Sequence, residues 1–150
     1  MGERGFLGVS VDEILAAPCG LYCGACINRL IYKRCHGCGC SCGNCDATGH
    51  HQRCNIYQCC VEQRRLSDCF ECAEFPCTQL VQFCYNPVWT HHLPVLENLK
   101  RRKTVGVKRW LGEQKRFWEN DWYRRAWLWL QRKCEEKLKE YKEKSRSLKE

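Results

Sequence analysis

Cysteine is the residue type with most chemistry to offer in this chain. Sixteen of the 150 positions carry it, and fourteen of those fall between Cys19 and Cys77. They come largely as C-x2-C pairs, Cys23/Cys26, Cys35/Cys38, Cys42/Cys45 and Cys69/Cys72, with Cys19, Cys40, Cys54, Cys59, Cys60 and Cys77 between them. Such density means either a disulfide framework or a set of thiolate metal sites, and the two demand opposite redox compartments. Two cysteines only two residues apart are poorly placed to bond to each other and well placed to share an ion.

A disulfide framework also requires export. The first twenty residues, MGERGFLGVSVDEILAAPCG, break every apolar stretch with Glu3, Arg4, Asp12 or Glu13. A signal peptide needs an apolar run of about seven to fifteen residues and a small-residue cleavage site. No run is long enough to span a bilayer. The expectation is a cytoplasmic, reducing environment in which the thiols serve metal.

Twelve ligands would close three four-cysteine sites. The candidates are Cys19, Cys23, Cys26, Cys35, Cys38, Cys42, Cys45, Cys54, Cys59, Cys69, Cys72 and Cys77. Spacing does not reveal which sulfurs share an ion, and it leaves open the roles of Cys40, Cys60, Cys84, Cys134, His50 and His51. The triplet Cys19-x3-Cys23-x2-Cys26 is the strongest arrangement. Radical enzymes use such a triplet for a 4Fe–4S cluster, but they need a barrel longer than this chain and an apolar strand pattern it lacks. Zinc and iron–sulfur clusters both take four thiolates in tetrahedral directions, so ligand count does not separate them. Glycines inside or beside the pairs, as in Cys35-His-Gly-Cys38-Gly, favour zinc knuckles, where a tight turn aims backbone N–H groups at sulfur. The triplet and the scarcity of histidine ligands favour clusters. About three zinc ions are the leading expectation and 4Fe–4S clusters the alternative. His36 is expected to point outward, His91 and His92 to pack or cap, and Cys84 and Cys134 to be buried as small hydrophobes.

These ligands need elements to hold them. The hydrophobic share is 44%, but without the cysteines it falls to about a third of the chain. Residues 1–85 therefore read as an irregular cysteine-knuckle module with little sheet, folded by its metals. Ser10 and Glu13 suggest a capping box opening a short helix that Pro18 stops. Residues 86–150 read as a basic, Trp-rich helical segment packed on that module. Helices are expected over Leu93–Lys103, over Val107–Trp118 with an interruption at Gly112, and over a longer final stretch. There Tyr123, Trp127, Leu130, Cys134, Leu138 and Tyr141 follow helical spacing, and Trp118, Trp122 and Trp129 form a second stripe. The fold class is a small, metal-stabilised, α-rich domain.

Residues 1–90 carry a net charge of −1 and residues 91–150 a net of +9. Each zinc held by four thiolates adds about −2, so three such sites leave a net near +2 and weaken any nucleic-acid argument from charge alone. No Ser/His/Asp set, paired-carboxylate pattern, phosphate loop or dinucleotide fingerprint is present.

The strings APCGLYCGAC at 17–26, RCHGCG at 34–39 and DCFECAEFPCTQL at 68–80, with HHLPVLENLKRRKTVGVKRWLGEQKRFW at 91–118, occur in one order. In this the chain resembles the bacterial and archaeal cysteine-rich domain of unknown function family 3795 over roughly residues 15–118. The resemblance implies a metal-binding domain of unassigned activity and matches Cys19, Cys23, Cys26, Cys35, Cys38, Cys54, Cys59, Cys69, Cys72 and Cys77. Where many members continue with another C-x2-C pair, this chain has Glu119-Asn120-Asp121-Trp122 and then its Trp-rich helix.

The expected function is a structural zinc-binding accessory or adaptor protein that meets a protein partner through the Trp-rich helix. The alternatives are an iron–sulfur electron-transfer subunit of a larger enzyme and a nucleic-acid-binding zinc protein. No membrane association and no autonomous catalysis are expected.

Overall fold

The strongest helical periodicity lies after Pro87, and the three long helices are there. The computed structural model describes residues 13–33, 36–40 and 54–149. Ser10, Cys35, Cys42, Cys45, His50 and His51 lie outside the described residues, and with them the expected N-cap and three of the twelve candidate ligands.

Helix α4 spans Val95–Val105, α5 Val107–Trp118 and α6 Asp121–Lys149. α4 begins two residues later than its apolar pattern suggests, because Pro94 takes the N-cap position and Leu93 is left exposed. Gly106, at φ 88°, sits between α4 and α5 and turns the chain there. α5 runs through Gly112 without the expected interruption. A mid-helix glycine costs about 1 kcal/mol, less than is gained by burying neighbouring Trp110 and Leu111.

The cysteine-rich part is built from short pieces: tight turns at Glu13–Leu15, Cys23–Ala25 and Cys69–Glu71, α1 at Ile27–Leu30, and α2 at Asn55–Tyr57. α2 widens into a π turn over Gln58–Gln63. α3 spans Thr78–Cys84. The described residues contain helices and turns and no strand, only one isolated bridge between Ala16 and Tyr22.

The core is shared between the two parts of the chain. Leu15, Ala17 and Cys23 pack with Leu80, Val95, Leu99 and Trp110. α4 also fastens the first knuckle through polar contacts. Asn98 Nδ2 donates to the Gly20 carbonyl at 3.0 Å, and one turn later Arg102 donates to the Ala17 and Leu21 carbonyls at 2.6 and 3.1 Å. Gly20, at φ 108°, is required where these parts meet, since a Cβ there would lie 2.6 Å from the Val95 carbonyl oxygen.

α6 docks through its first half. Buried Gln131 donates to the Ala25 carbonyl at 2.9 Å and accepts from the Ile27 N–H at 3.0 Å, bracketing Cys26. Tyr32 donates to Glu135 at 2.8 Å, and buried Cys134 lies 3.5 Å from the Thr90 hydroxyl. The apolar stripe is therefore covered in its middle and exposed at its ends, Tyr123 and Tyr141. On the second stripe Trp118 leans on Trp127 at 5.3 Å, while Trp122 and Trp129 stay 72% and 60% exposed.

His91 and His92 join three elements. His92 stacks on Phe83 of α3 at 3.8 Å and its Nδ1 lies 3.1 Å from the Phe83 carbonyl; His91 sits edge-on to Trp127 of α6 at 6.1 Å. Burial pulls both imidazoles down, His91 to about 3, with His92 adding to the effect, and His92 to about 4. The unfolded chain protonates them near pH 6.5. Their contribution to stability is therefore full above about pH 6.5 and is lost as pH falls towards the folded values. The expected loss is on the order of 2 kcal/mol per ring by pH 5. Proton NMR should show both rings neutral from pH 8 down to pH 5; a midpoint near 6.5 for either would contradict the packing.

Candidate metal centres

Two groups of thiols are described, each assembled from separate parts of the chain. The first is built around Cys23, which is 1% exposed. Cys19 precedes it in the loop held by α4, Cys26 closes its turn, and Cys38 approaches from the next knuckle, donating its backbone N–H to Cys23 Sγ at 3.2 Å. Gly37 and Gly39 make that approach possible. The Gly39 N–H donates to the Ile14 carbonyl at 2.9 Å, and a Cβ on Gly37, at φ 150°, would lie 2.4 Å from the same oxygen. Cys54, at the start of α2, lies close enough to Cys19 to influence its charge, and its sulfur accepts from the Tyr57 N–H at 3.5 Å.

The sulfurs of this group are met by backbone donors: Leu21 at Cys19, Asn28 and Arg29 at Cys26, Cys38 at Cys23, and Tyr57 at Cys54. N–H groups aimed at sulfur stabilise thiolates, the form that binds metal. The protein environment otherwise resists that charge. Burial pushes Cys19 well up, and burial with neighbouring Cys23 raises Cys26 to about 11. Cys23 and Cys38 share a hydrogen bond that holds Cys23 down and pushes Cys38 up. A cation at their centre is the species that would relieve this conflict.

The second group lines a cavity of about 250 Å³ bounded by Cys59, Cys60, Cys69, Cys72 and Cys77, with Arg64, Leu66, Phe75 and Leu80 among the other walls. Cys59 and Cys60 come from the π turn, Cys69 and Cys72 from the knuckle after Asp68, and Cys77 from the N-cap of α3. In an α-helix adjacent side chains diverge by about 100°; the wider π turn brings neighbours nearer to one side. Arg64 donates to Cys72 Sγ at 3.4 Å, bonds the Cys59 sulfur and pairs with Glu74. Cys69 is pushed up, chiefly by its hydrogen bond with Cys60.

The two groups are tied together. The Cys69 N–H donates to the Pro18 carbonyl at 3.0 Å, and Asp68 meets Arg102 at 2.5 Å with both side chains almost wholly buried. The Arg102 guanidinium carbon lies over the buried Trp110 ring, 3.9 Å from its centroid.

The structure thus brings together Cys19, Cys23, Cys26, Cys38 and Cys54, and separately Cys59, Cys69, Cys72 and Cys77. Among the described residues, no three His, Cys, Asp or Glu side chains are gathered closely enough to hold one ion as they stand. Cys40 sits beside exposed His36, 3.4 Å from its Nδ1, and Cys84 and Cys134 are buried with other partners, the Leu93 carbonyl at 3.3 Å and the Thr90 hydroxyl at 3.5 Å. Three participants escaped the sequence reading. Spacing leaves the role of Cys60 open, although its adjacency to Cys59 is a usable signal. Arg64, between two thiol clusters, was a weaker one. Arg102 carried none that distinguished it from the basic residues around it. No family model, curated protein or solved structure matches this chain.

Proposed function

We propose that this chain is a metal-binding accessory protein whose thiolate centres are its folding scaffold, with structural zinc held by Cys19, Cys23, Cys26 and Cys38. One observation carries the reading: Cys19, Cys26 and Cys38, from two knuckles, neighbour Cys23, with backbone N–H groups directed at the sulfurs. Zinc has no redox or geometric demand beyond tetrahedral thiolates, which suits a site that orders the chain rather than reacting. The motif order that resembles the cysteine-rich family named above points the same way and supplies no reaction.

The exposed aromatics Phe117, Trp122 and Trp129 give the helical segment a surface for a protein partner. The basic residues nearby favour nucleic acid less than their number suggests. Arg101 is held by Glu113 at 2.6 Å, Arg124 and Arg125 by Asp121 at 2.6 and 2.9 Å, and Arg102 is buried.

Elemental analysis of the full chain, purified without added metal and under reducing, anaerobic conditions, tests the proposal. The expected result is at least one tightly held zinc per chain that is lost in Cys23→Ser. A folded, metal-free protein would overturn it.

A further inference from the structure

We infer that the cavity bounded by Cys59, Cys60, Cys69, Cys72 and Cys77 is a site for a polynuclear iron–sulfur cluster, unlike the single-zinc centre at Cys23. The inference rests on the reading that the thiols hold metal, and adds which metal chemistry each group takes.

Size is the first argument. A tetrahedral zinc with Zn–S bonds of about 2.3 Å draws its four sulfurs to roughly 3.8 Å from one another, leaving room for the ion alone. The cavity measures about 250 Å³. One water fits in on the order of 10–15 Å³ by the same kind of measure, so this space, partly open to solvent, is larger than a single ion requires. Among cofactors held by thiolates, iron–sulfur clusters occupy a space of that larger kind.

The lining is the second argument. A cluster takes thiolates arriving from several directions, and here the π turn, the knuckle after Asp68 and the N-cap of α3 each supply one side. Cys59, Cys69, Cys72 and Cys77 are half-buried and provide four ligands. Cys60 is more deeply buried, with its sulfur 3.7 Å from the Leu66 carbonyl oxygen, and is the fifth thiol. Leu66, Phe75 and Leu80 make one part of its wall apolar, and such surroundings slow loss of a cluster.

Charge is the third. Four thiolates around a cluster leave an anion, and Arg64 brings a guanidinium whose N–H groups reach the Cys59 and Cys72 sulfurs. Hydrogen bonds to the sulfurs and nearby charge are levers by which a protein tunes such a centre.

The test is metal and sulfide analysis of the full chain purified anaerobically, and again after reconstitution with ferrous iron and sulfide, with visible absorption and electron paramagnetic resonance of the reduced sample. The expected protein is brown and contains iron, acid-labile sulfide and zinc together. Cys72→Ser and Cys77→Ser should each lose iron and sulfide while keeping zinc, and Cys23→Ser should lose zinc while keeping the visible absorption. Should the serine variants fail to fold, the reconstituted wild-type protein decides. Zinc alone after reconstitution would overturn this inference and leave the zinc proposal standing. Iron lost in Cys23→Ser but retained in Cys72→Ser would place the cluster in the other group and overturn it too. A folded protein with no metal would overturn both.

Discussion

Replacing Arg102 by methionine is expected to destabilise the folded chain by about 3–5 kcal/mol, a large fraction of the 5–15 kcal/mol typical of a domain. The guanidinium is fully buried and supplies three separate acceptors: Asp68 at 2.5 Å, the Ala17 carbonyl at 2.6 Å and the Leu21 carbonyl at 3.1 Å. Methionine fills much of the same volume over Trp110, so the loss measures missing donors and a stranded carboxylate rather than a void. Asp68 is 3% exposed and would lose the guanidinium while keeping its capping bond from the Glu71 N–H, so it would have to ionise with less compensation or take up a proton. Arg102→Lys keeps a charge but not the planar fork, and should recover only part of the stability. The double variant Asp68→Leu with Arg102→Met removes the stranded charge and should be more stable than Arg102→Met alone. It should remain below wild type, because two carbonyls still lack their donor at about 1–3 kcal/mol each. Denaturant midpoints of the metal-loaded proteins measure all four. An Arg102→Met midpoint within experimental error of wild type would remove this side chain from the framework.

Arg102 also shows where a sequence stops being legible. Four consecutive basic residues, Lys100 to Lys103, close α4 and suit the negative end of its dipole. Three of them do face water, Arg101 reaching across to Glu113. The fourth turns inward to acceptors more than eighty residues away in the chain, and no local pattern encodes a contact of that range. Gln131 is the same kind of case, a polar residue beside an apolar stripe whose partners are the backbone groups of Ala25 and Ile27. What was legible is what local chemistry dictates. The repeat of Val95 and Leu99, and of Trp127 and Cys134, marks helices because a helix buries every third or fourth residue. Gly37 beside Cys38 marks a knuckle because only glycine accepts that backbone against Ile14. The division of the thiols into two described groups depended instead on how α4 folds back between them. Spacing along the chain carries nothing about that.

On the proposed reading that the thiols hold metal, removing it is expected to have the largest effect on this protein. Structural zinc bound by thiolates contributes an apparent 10–16 kcal/mol in small modules at neutral pH, as much as or more than the whole stability of a domain. Little stands in reserve here. The apolar core draws on both parts of the chain, and three of its members, Cys19, Cys23 and Cys84, are themselves cysteines. The first two belong to the Cys23 group. A strong chelator under reducing conditions should therefore abolish the cooperative unfolding transition, while α6, whose distal half makes few contacts, keeps part of its helical signal. Trp110 is the natural reporter. It is fully buried, edge-on to Tyr22 at 6.0 Å and beneath Arg102, and Tyr22 immediately precedes Cys23. Trp122 and Trp129 are exposed already and contribute a constant background. Metal loss should erase the near-ultraviolet circular dichroism of Trp110 and shift its emission to the red, as the difference between wild type and Trp110→Phe isolates. Readdition of zinc should restore both signals in part, and complete recovery should need iron and sulfide as well. A chelated protein shown to be metal-free that keeps the Trp110 signal and still melts cooperatively would mean that packing, not metal, holds the fold.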